Sequence, residues 1–256
     1  MFYADRCVSC GKCVSLCENG AHTITPDGMH LYDRARCTLC GKCIQSCSVK
    51  ALEKVGNRQT VGNVMSEIRS DSAFYRSSGG GVTISGGEPT AQPAFTEALL
   101  ASCKQEGFHT CIETCGWCSP DILKRLVPLV DLFLLDWKLT DDIQHKFYTG
   151  VSNAPILRNL SLLFHLNAPV VLRCPLIPDV NMEASHFDGI VSLVQQYTNI
   201  LQVDLEPYHP MGLGKNKALG RETTYNNEEF LSTSDVEAVR RSIQERVTVS
   251  VRISGI

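Results

Sequence analysis

Eight of the thirteen cysteines lie within the first 47 residues, in two copies of one spacing. Cys7, Cys10, Cys13 and Cys17 read C-x2-C-x2-C-x3-C, and Cys37, Cys40, Cys43 and Cys47 repeat it thirty residues later. Each half carries Cys-Gly-Lys-Cys, at Cys10 to Cys13 and Cys40 to Cys43. Three thiolates in one tight loop grip three irons of a cube, and the fourth cysteine of each run is left to serve the other cube. Cys7, Cys10, Cys13 and Cys47 are therefore assigned to one [4Fe-4S] cluster, and Cys37, Cys40, Cys43 and Cys17 to a second. Gly11 and Gly41 remove side chains where backbone amides should approach the sulfides. Structural zinc is the alternative, but it wants four tetrahedral ligands per ion and fits a doubled three-cysteine loop poorly. The segment has few apolar residues of its own, so its folding should be coupled to its clusters.

The doubled run is the pattern of bacterial two-cluster ferredoxins, except that Glu18 and Ser48 stand where a proline usually follows the fourth cysteine. Residues 1–54 are expected to form this ferredoxin-like domain and residues 55–256 a larger one. A length of 256 residues suits that division. Net charge is −3 with no basic run, which points away from nucleic acid. No apolar stretch approaches the ~20 residues of a membrane span. The first residues lack the basic and apolar regions of a signal peptide. Cysteine-rich chains without an export signal use thiols for metal or redox chemistry in the cytoplasm.

Beyond residue 55 strands alternate with helices. Helices are expected over Thr60 to Phe74, from Pro93 to Gly107 with Phe95, Ala98, Leu99 and Ser102 inward, from Ser119 to before Pro128, and over Asp141 to Tyr148, Ile156 to Leu166, Glu183 to Tyr197 and Ser234 to Arg246. Strands are expected at Val82 to Ser85, Phe108 to Thr114, Val170 to Cys174, Leu201 to Leu205 and Val247 to Ile253. Leu132 to Leu135 reads as a continuous apolar strand covered on both sides. Pro207 to Gly220 reads as an irregular glycine-rich loop. Strands spaced by helices pair in parallel through right-handed crossovers, so the fold class is α/β, a partial parallel (β/α) barrel with a small ferredoxin-like domain. Ligands of such sheets sit at the strands' carboxyl ends.

Polar residues recur at those ends. The strand at Val82 runs into Gly86-Gly87-Glu88-Pro89, where paired glycines allow a sharp turn and close approach to a ligand. Glu113 and Thr114 end the next strand, Asp136 and Lys138 the one after, and Arg173 lies near the end of a fourth. Glu206, Pro207, Tyr208 and His209 end a fifth. Any one of these is more often a solvated strand terminus than a ligand; their recurrence makes the site.

The string Gly-Gly-Gly-Val-Thr-Ile-Ser-Gly-Gly-Glu-Pro at residues 79 to 89 resembles the cofactor-binding motif of the radical S-adenosylmethionine superfamily. It is similar to the subset that activates glycyl radical enzymes, the pyruvate formate-lyase activating enzyme family. Asp131 to Lys138, Thr149-Gly150-Val151-Ser152-Asn153 and Pro207-Tyr208-His209 resemble further segments of that family. The resemblance implies that Gly86, Gly87 and Glu88 hold the methionine moiety of S-adenosylmethionine. Asp136 and Lys138, with Trp137 between them, would engage its polar groups, and Arg173 and His209 its carboxylate or ribose. Glu113, Thr114 and Asp136 match positions that gather a monovalent cation, although the family usually carries Asp where Glu113 stands. The implied partners are a glycyl radical enzyme, whose glycine loses a hydrogen atom, and a flavodoxin or ferredoxin that supplies electrons through the two clusters.

The family's radical chemistry uses a third cluster on a C-x3-C-x2-C loop upstream of Gly-Gly-Glu-Pro, and no such motif precedes Cys7. The first barrel strand and its loop are expected to be absent from this chain, by truncation or by loss of activity. A truncated or inactive two-cluster electron-transfer or partner-binding module is thus the alternative function. Cys111, Cys115 and Cys118 have the right spacing but follow the motif, and Cys111 sits within the strand itself so that three sulfurs could not easily converge; Cys111 and Cys115 are read as packing residues, as are Cys103 and Cys174.

Overall fold

The computed structural model describes residues 1–222 and 225–254. The chain forms two compact units, Met1–Arg58 with Pro210–Glu228, and Gln59–His209 with Glu229–Ile256.

In the first unit the cysteine repeat is also a conformational repeat. Ser9 and Leu39, Gly11 and Gly41, and Gly20 and Lys50 all have positive φ at matching places. Gly11 and Gly41, at φ 75° and 81°, precede short helices α1 (Lys12–Leu16) and α2 (Lys42–Ser46). Between them β1 (His22–Ile24) and β2 (His30–Tyr32) form an antiparallel hairpin.

The larger unit is a six-stranded parallel sheet whose spatial order is its chain order. Its strands are β3 (Gly81–Ile84), β4 (His109–Thr114), β5 (Leu132–Asp136), β6 (Val170–Leu176), β7 (Ile200–Pro207) and β8 (Ser250–Ile253). Its helices are α3 (Val61–Ser70), α4 (Ser72–Ser78), α5 (Pro93–Gln105), α6 (Pro120–Leu126), α7 (Asp142–Thr149), α8 (Ala154–His165) and α9 (Ala184–Gln196). After α10 (Met211–Leu219), which belongs to the first unit, comes α11 (Thr233–Gln244). Among the described residues β3 and β8 do not pair, so the barrel is open.

One sheet face is packed against the helices. Ile112, Phe133, Leu135, Leu172, Val203 and Leu205 are buried in one core with helix residues such as Leu123, Leu160, Leu163, Ile190 and Ile243. The residues between them, Glu113, Leu134, Asp136, Arg173, Asp204 and Glu206, are half-buried on the other face. The expectation that Leu132 to Leu135 is covered on both sides is therefore corrected: Phe133 and Leu135 are enclosed, while Leu132 and Leu134 are not. Period-two alternation places every second residue of this apolar run on the open face.

Three local expectations also change. The helix expected over Thr60 to Phe74 is two, α3 and α4, joined at Asp71. Helix α5 buries Thr96, Leu99, Leu100 and Cys103, one residue on from the expected face, because Thr96 Oγ1 donates to the Pro89 carbonyl at 2.8 Å and turns inward. The expected loop within Pro207 to Gly220 holds α10. Glycines inside a helix cost about 1 kcal/mol each, and here tertiary contacts offset that cost. Ala218 is buried. Its carbonyl accepts the Phe2 N–H and Arg34 Nη2, each at 2.9 Å. Gly220 closes the helix at φ 64°.

Candidate active site

In the first unit two cavities lie where the cysteine spacing places the clusters. One is lined by Cys7, Cys10, Cys13 and Cys47, and also by Cys43. The other is lined by Cys17, Cys37, Cys40 and Cys43. Each cavity thus has three cysteines of one run and the fourth of the other. Backbone amides reach the sulfurs in matched pairs: Ser9 to Cys7 and Leu39 to Cys37 at 3.4 Å, Ala21 to Cys17 and Ala51 to Cys47 at 3.3 Å. All thirteen cysteines are free.

The sulfur spacing bears on zinc as the alternative to iron–sulfur cubes. With Zn–S near 2.3 Å, tetrahedral sulfurs would lie roughly 3.8 Å apart. Among the described residues no three cysteine sulfurs lie within 4.8 Å of one another. Among the described residues the cysteines thus present no ready zinc tetrahedron. The same test separates Cys111, Cys115 and Cys118, which do not converge; Cys111 is buried in β4. Burial pushes the Cys111, Cys115 and Cys118 thiols up, the last to about 11. Cys103 and Cys174 are fully enclosed.

Sequence reasoning missed the side chains between the cysteine runs. His30 Nδ1 lies 3.3 Å from Cys7 Sγ, and its Nε2 lies 3.6 Å from Cys13 Sγ and 3.0 Å from His22 Nδ1. Both rings are buried. Tyr32 stacks on His22, with centroids 4.7 Å apart. Burial, then the Cys37 thiol, push its hydroxyl pKa up to about 12. The usable signal was two histidines flanking a turn in a segment otherwise given over to ligands.

In the larger unit Gly86 and Gly87 follow β3 and are exposed. Gly86 has φ 123°, open only to glycine. A Cβ at either would meet nothing within 4 Å, so the turn faces open space. Glu88 turns back into the protein. Its Oε1 accepts Thr90 N–H at 3.0 Å and the hydroxyls of Thr90 and Thr114 at 2.7 Å, and its Oε2 accepts Cys115 N–H at 2.9 Å. Burial raises the Glu88 carboxyl, but these bonds outweigh it and hold it below the usual carboxylate range. Glu88 is chiefly a brace between the β3 and β4 ends, with acceptor capacity left on Oε2. Thr90 is a partner the motif alone did not suggest.

Along the open face Arg173 joins two carboxylates. Its Nη1 lies 2.5 Å from Glu113 Oε1, without hydrogen-bond alignment. Its Nε donates to Glu206 Oε1 at 2.6 Å, and Nη2 also contacts that oxygen. Burial works against the Arg173 charge, but Glu206 and Glu113 outweigh it and raise its pKa. Burial pushes Glu206 up against the opposing pull of Arg173. Lys138 Nζ donates to Asp136 Oδ2 at 2.6 Å. Asn181, also unforeseen, ties the strand ends by donating to the Lys138 and Pro175 carbonyls at 2.9 and 2.7 Å. His209 is exposed after β7.

Two expectations are corrected. Trp137 does not join Asp136 and Lys138: alternation sends its indole to the covered face, where it is 2 % exposed and donates to Thr140 Oγ1 at 3.3 Å. The side chains of Glu113 and Thr114 leave β4 on opposite faces, and Glu113 is held by Arg173, so with Asp136 they do not converge on a cation.

Residues 38–188 match the radical SAM superfamily and residues 6–51 the 4Fe-4S dicluster domain. The chain is 40 % identical over 250 residues to the choline trimethylamine-lyase activating enzyme of Oleidesulfovibrio alaskensis, covering 96 % of this chain and 81 % of that one. It is 39 % identical over 246 residues to the isethionate sulfite-lyase activating enzyme of Nitratidesulfovibrio vulgaris, covering 94 % and 78 %. In fold it is similar to a domain of pyruvate-formate lyase-activating enzyme from Bacteroides vulgatus, with a TM-score of 0.57 and 23 % identity over 69 % of this chain and 99 % of that one.

Proposed function

The chain belongs to the radical S-adenosylmethionine enzymes that activate glycyl radical enzymes, and we propose that its open strand ends bind the sulfonium cofactor while its cysteine-rich unit delivers electrons. The reaction is reductive cleavage of S-adenosylmethionine and removal of a hydrogen atom from a glycine of the partner enzyme. The cofactor supplies the radical chemistry, and the protein's share is binding, orientation and exclusion of water.

The observation that carries the residue assignment is the open turn at Gly86 and Gly87, locked in place by Glu88. These two glycines bare backbone groups for the methionine amine and carboxylate, and Glu88 Oε2 offers the nearest anionic acceptor to the amine. Asp136 and Lys138, on the same open face, take the polar groups of the ribose and carboxylate. Arg173 is held by Glu113 and Glu206 and acts by charge, and exposed His209 reaches the cofactor's outer edge. The uncovered sheet face leaves room for the glycine-bearing loop of a glycyl radical enzyme. Cys7, Cys10, Cys13 and Cys47 hold one cluster, and Cys37, Cys40, Cys43 and Cys17 the other. A reduced flavodoxin or ferredoxin is the electron donor, in the reducing cytoplasm that suits thirteen free cysteines. Among the described residues no helix is long and apolar enough to cross a membrane.

Calorimetric titration of the anaerobically reconstituted protein with S-adenosylmethionine tests the site. Binding that weakens at least tenfold in Asp136→Asn and Lys138→Ala is expected. No heat of binding from protein that holds its iron would overturn the site assignment. Bleaching of visible absorbance by reduced flavodoxin or ferredoxin tests the electron route separately.

A further inference from the structure

The two cluster sites receive the same backbone hydrogen bonds, as the thirty-residue repeat requires, but different side chains. Ser9 N–H reaches Cys7 and Leu39 N–H reaches Cys37 at the same 3.4 Å. Cys7 alone of this pair gains a ring nitrogen, His30 Nδ1 at 3.3 Å. His30 has no counterpart in the second run, because the position thirty residues on is Thr60, outside the cysteine-bearing segment. His30 lines the Cys7 cavity and His22 lines the Cys37 cavity.

The hydrogen-bond directions follow from the ligands. A cysteine bound to iron is a thiolate and accepts only, so His30 Nδ1 must carry the proton that faces Cys7 Sγ. In a neutral imidazole the other nitrogen then accepts. His22 Nδ1, 3.0 Å from His30 Nε2, supplies that N–H; Cys13 Sγ, at 3.6 Å, is farther and has no proton to give once bound to iron. The hairpin fixes both rings. His22 pairs with Tyr32 and Ile24 with His30 in register, and Phe2 packs edge-on against His30 with centroids 4.6 Å apart. Cys13, His22 and His30 lie close enough together to hold a metal ion by themselves. Cys13 is already committed to the cube, which leaves the ring pair to serve as hydrogen-bond donors.

We propose that His30 is a positioning residue that donates Nδ1–H to the Cys7 sulfur and raises the reduction potential of the cluster held by Cys7, Cys10, Cys13 and Cys47, with His22 fixing the donating tautomer. A hydrogen bond to a ligating sulfur stabilises the extra negative charge of the reduced cluster, so removing it lowers the potential. The two clusters are thereby inequivalent although their cysteine loops repeat. The proposal rests on the iron–sulfur assignment of the eight cysteines. Iron analysis checks that assignment independently of any potential.

The test is a dithionite titration of the reconstituted full chain, followed by electron paramagnetic resonance and accompanied by iron analysis. About eight irons per chain report two intact cubes. His30→Phe should move one one-electron step to lower potential by about tenfold in its reduction equilibrium, about 59 mV, and leave the other step in place. His22→Leu should move the same step in the same direction by less. His30→Gln keeps an N–H donor and should return the step toward the wild-type value. Tyr32→Phe should leave that step unmoved. The proposal is overturned if His30→Phe with full iron shifts neither step or both equally, or if Tyr32→Phe moves the same step. It is also overturned if His30→Gln lies no nearer the wild type than His30→Phe. Should His30→Phe fail to hold iron, His22→Leu and His30→Gln carry the comparison: a shift in the first without one in the second supports the proposal, and any other pattern sinks it.

Discussion

Thr114 Oγ1 donates to Glu88 Oε1 at 2.7 Å, joining the carboxyl end of β4 to the turn that follows β3. The same hydroxyl accepts Gly116 N–H at 3.0 Å, so one buried threonine fixes both the Gly-Gly-Glu-Pro turn and the exit of its neighbour. Glu88→Gln should therefore cost stability as well as ligand binding. An amide keeps one acceptor oxygen for the three bonds to Oε1 but puts an NH2 where Oε2 accepts Cys115 N–H, leaving a donor facing a donor. Burying such a mismatch costs about 1–3 kcal/mol. Urea denaturation should show that loss, and calorimetry should show weaker S-adenosylmethionine binding. Wild-type stability in Glu88→Gln would mean that the brace does not matter.

Trp137 and Lys138 are adjacent in sequence and should separate cleanly in function. Trp137→Ala empties the core beside Phe133 and Leu135 and should lower stability by about 3–5 kcal/mol. Lys138→Ala touches the open face and should change stability by less than about 1 kcal/mol while weakening cofactor binding. Paired denaturation and binding measurements on the two variants check this. Equal effects of both would contradict the alternation on β5.

Arg173 stands between two carboxylates, one of them already pushed up by burial. Arg173→Met should leave Glu113 and Glu206 facing each other without a cation. The side chains are a fifth to a third exposed, so the full penalty of a dry ion pair does not apply. A loss of roughly 1–3 kcal/mol at neutral pH is expected. It should shrink as the pH falls and Glu206 protonates. A loss that grows on acidification would refute the pairing.

His186 gives the larger unit a pH signature. Its Nδ1 accepts Thr140 N–H at 3.2 Å in a buried site, and burial holds its pKa down at about 4, against an ordinary 6.5. The unfolded chain binds the proton first. No stability is lost above about pH 6.5; it falls as pH drops from there toward 4, where the loss is complete. Between pH 7 and pH 5 this amounts to about 2 kcal/mol. Denaturation midpoints at the two pH values should show the drop in the wild type and a smaller one in His186→Asn.

Cys47 should belong to the first cluster although it lies in the second run. Cys47→Ala should disturb the same spectroscopic signal as Cys7→Ala, and Cys17→Ala the same signal as Cys37→Ala. Pairing within each run instead would reject the crossed assignment.

The sequence by itself determined whatever depends on local spacing. Cysteine intervals marked out two iron–sulfur ligand runs, because a tight loop can present only three sulfurs to one cube. Strands spaced by helical segments dictated a parallel sheet, and the polar residues ending its strands offered the candidate site. Tertiary structure decided which face each strand turned to the open side, and so removed Trp137 and split Glu113 from Thr114. It also folded the glycine-rich stretch after His209 into α10, through contacts with Phe2 and Arg34 that no local propensity encodes. His22 and His30 became neighbours of Cys7 and Cys13 only through the hairpin register. A spacing rule reads distances along the chain, whereas a hydrogen bond to a ligating sulfur depends on distance through space.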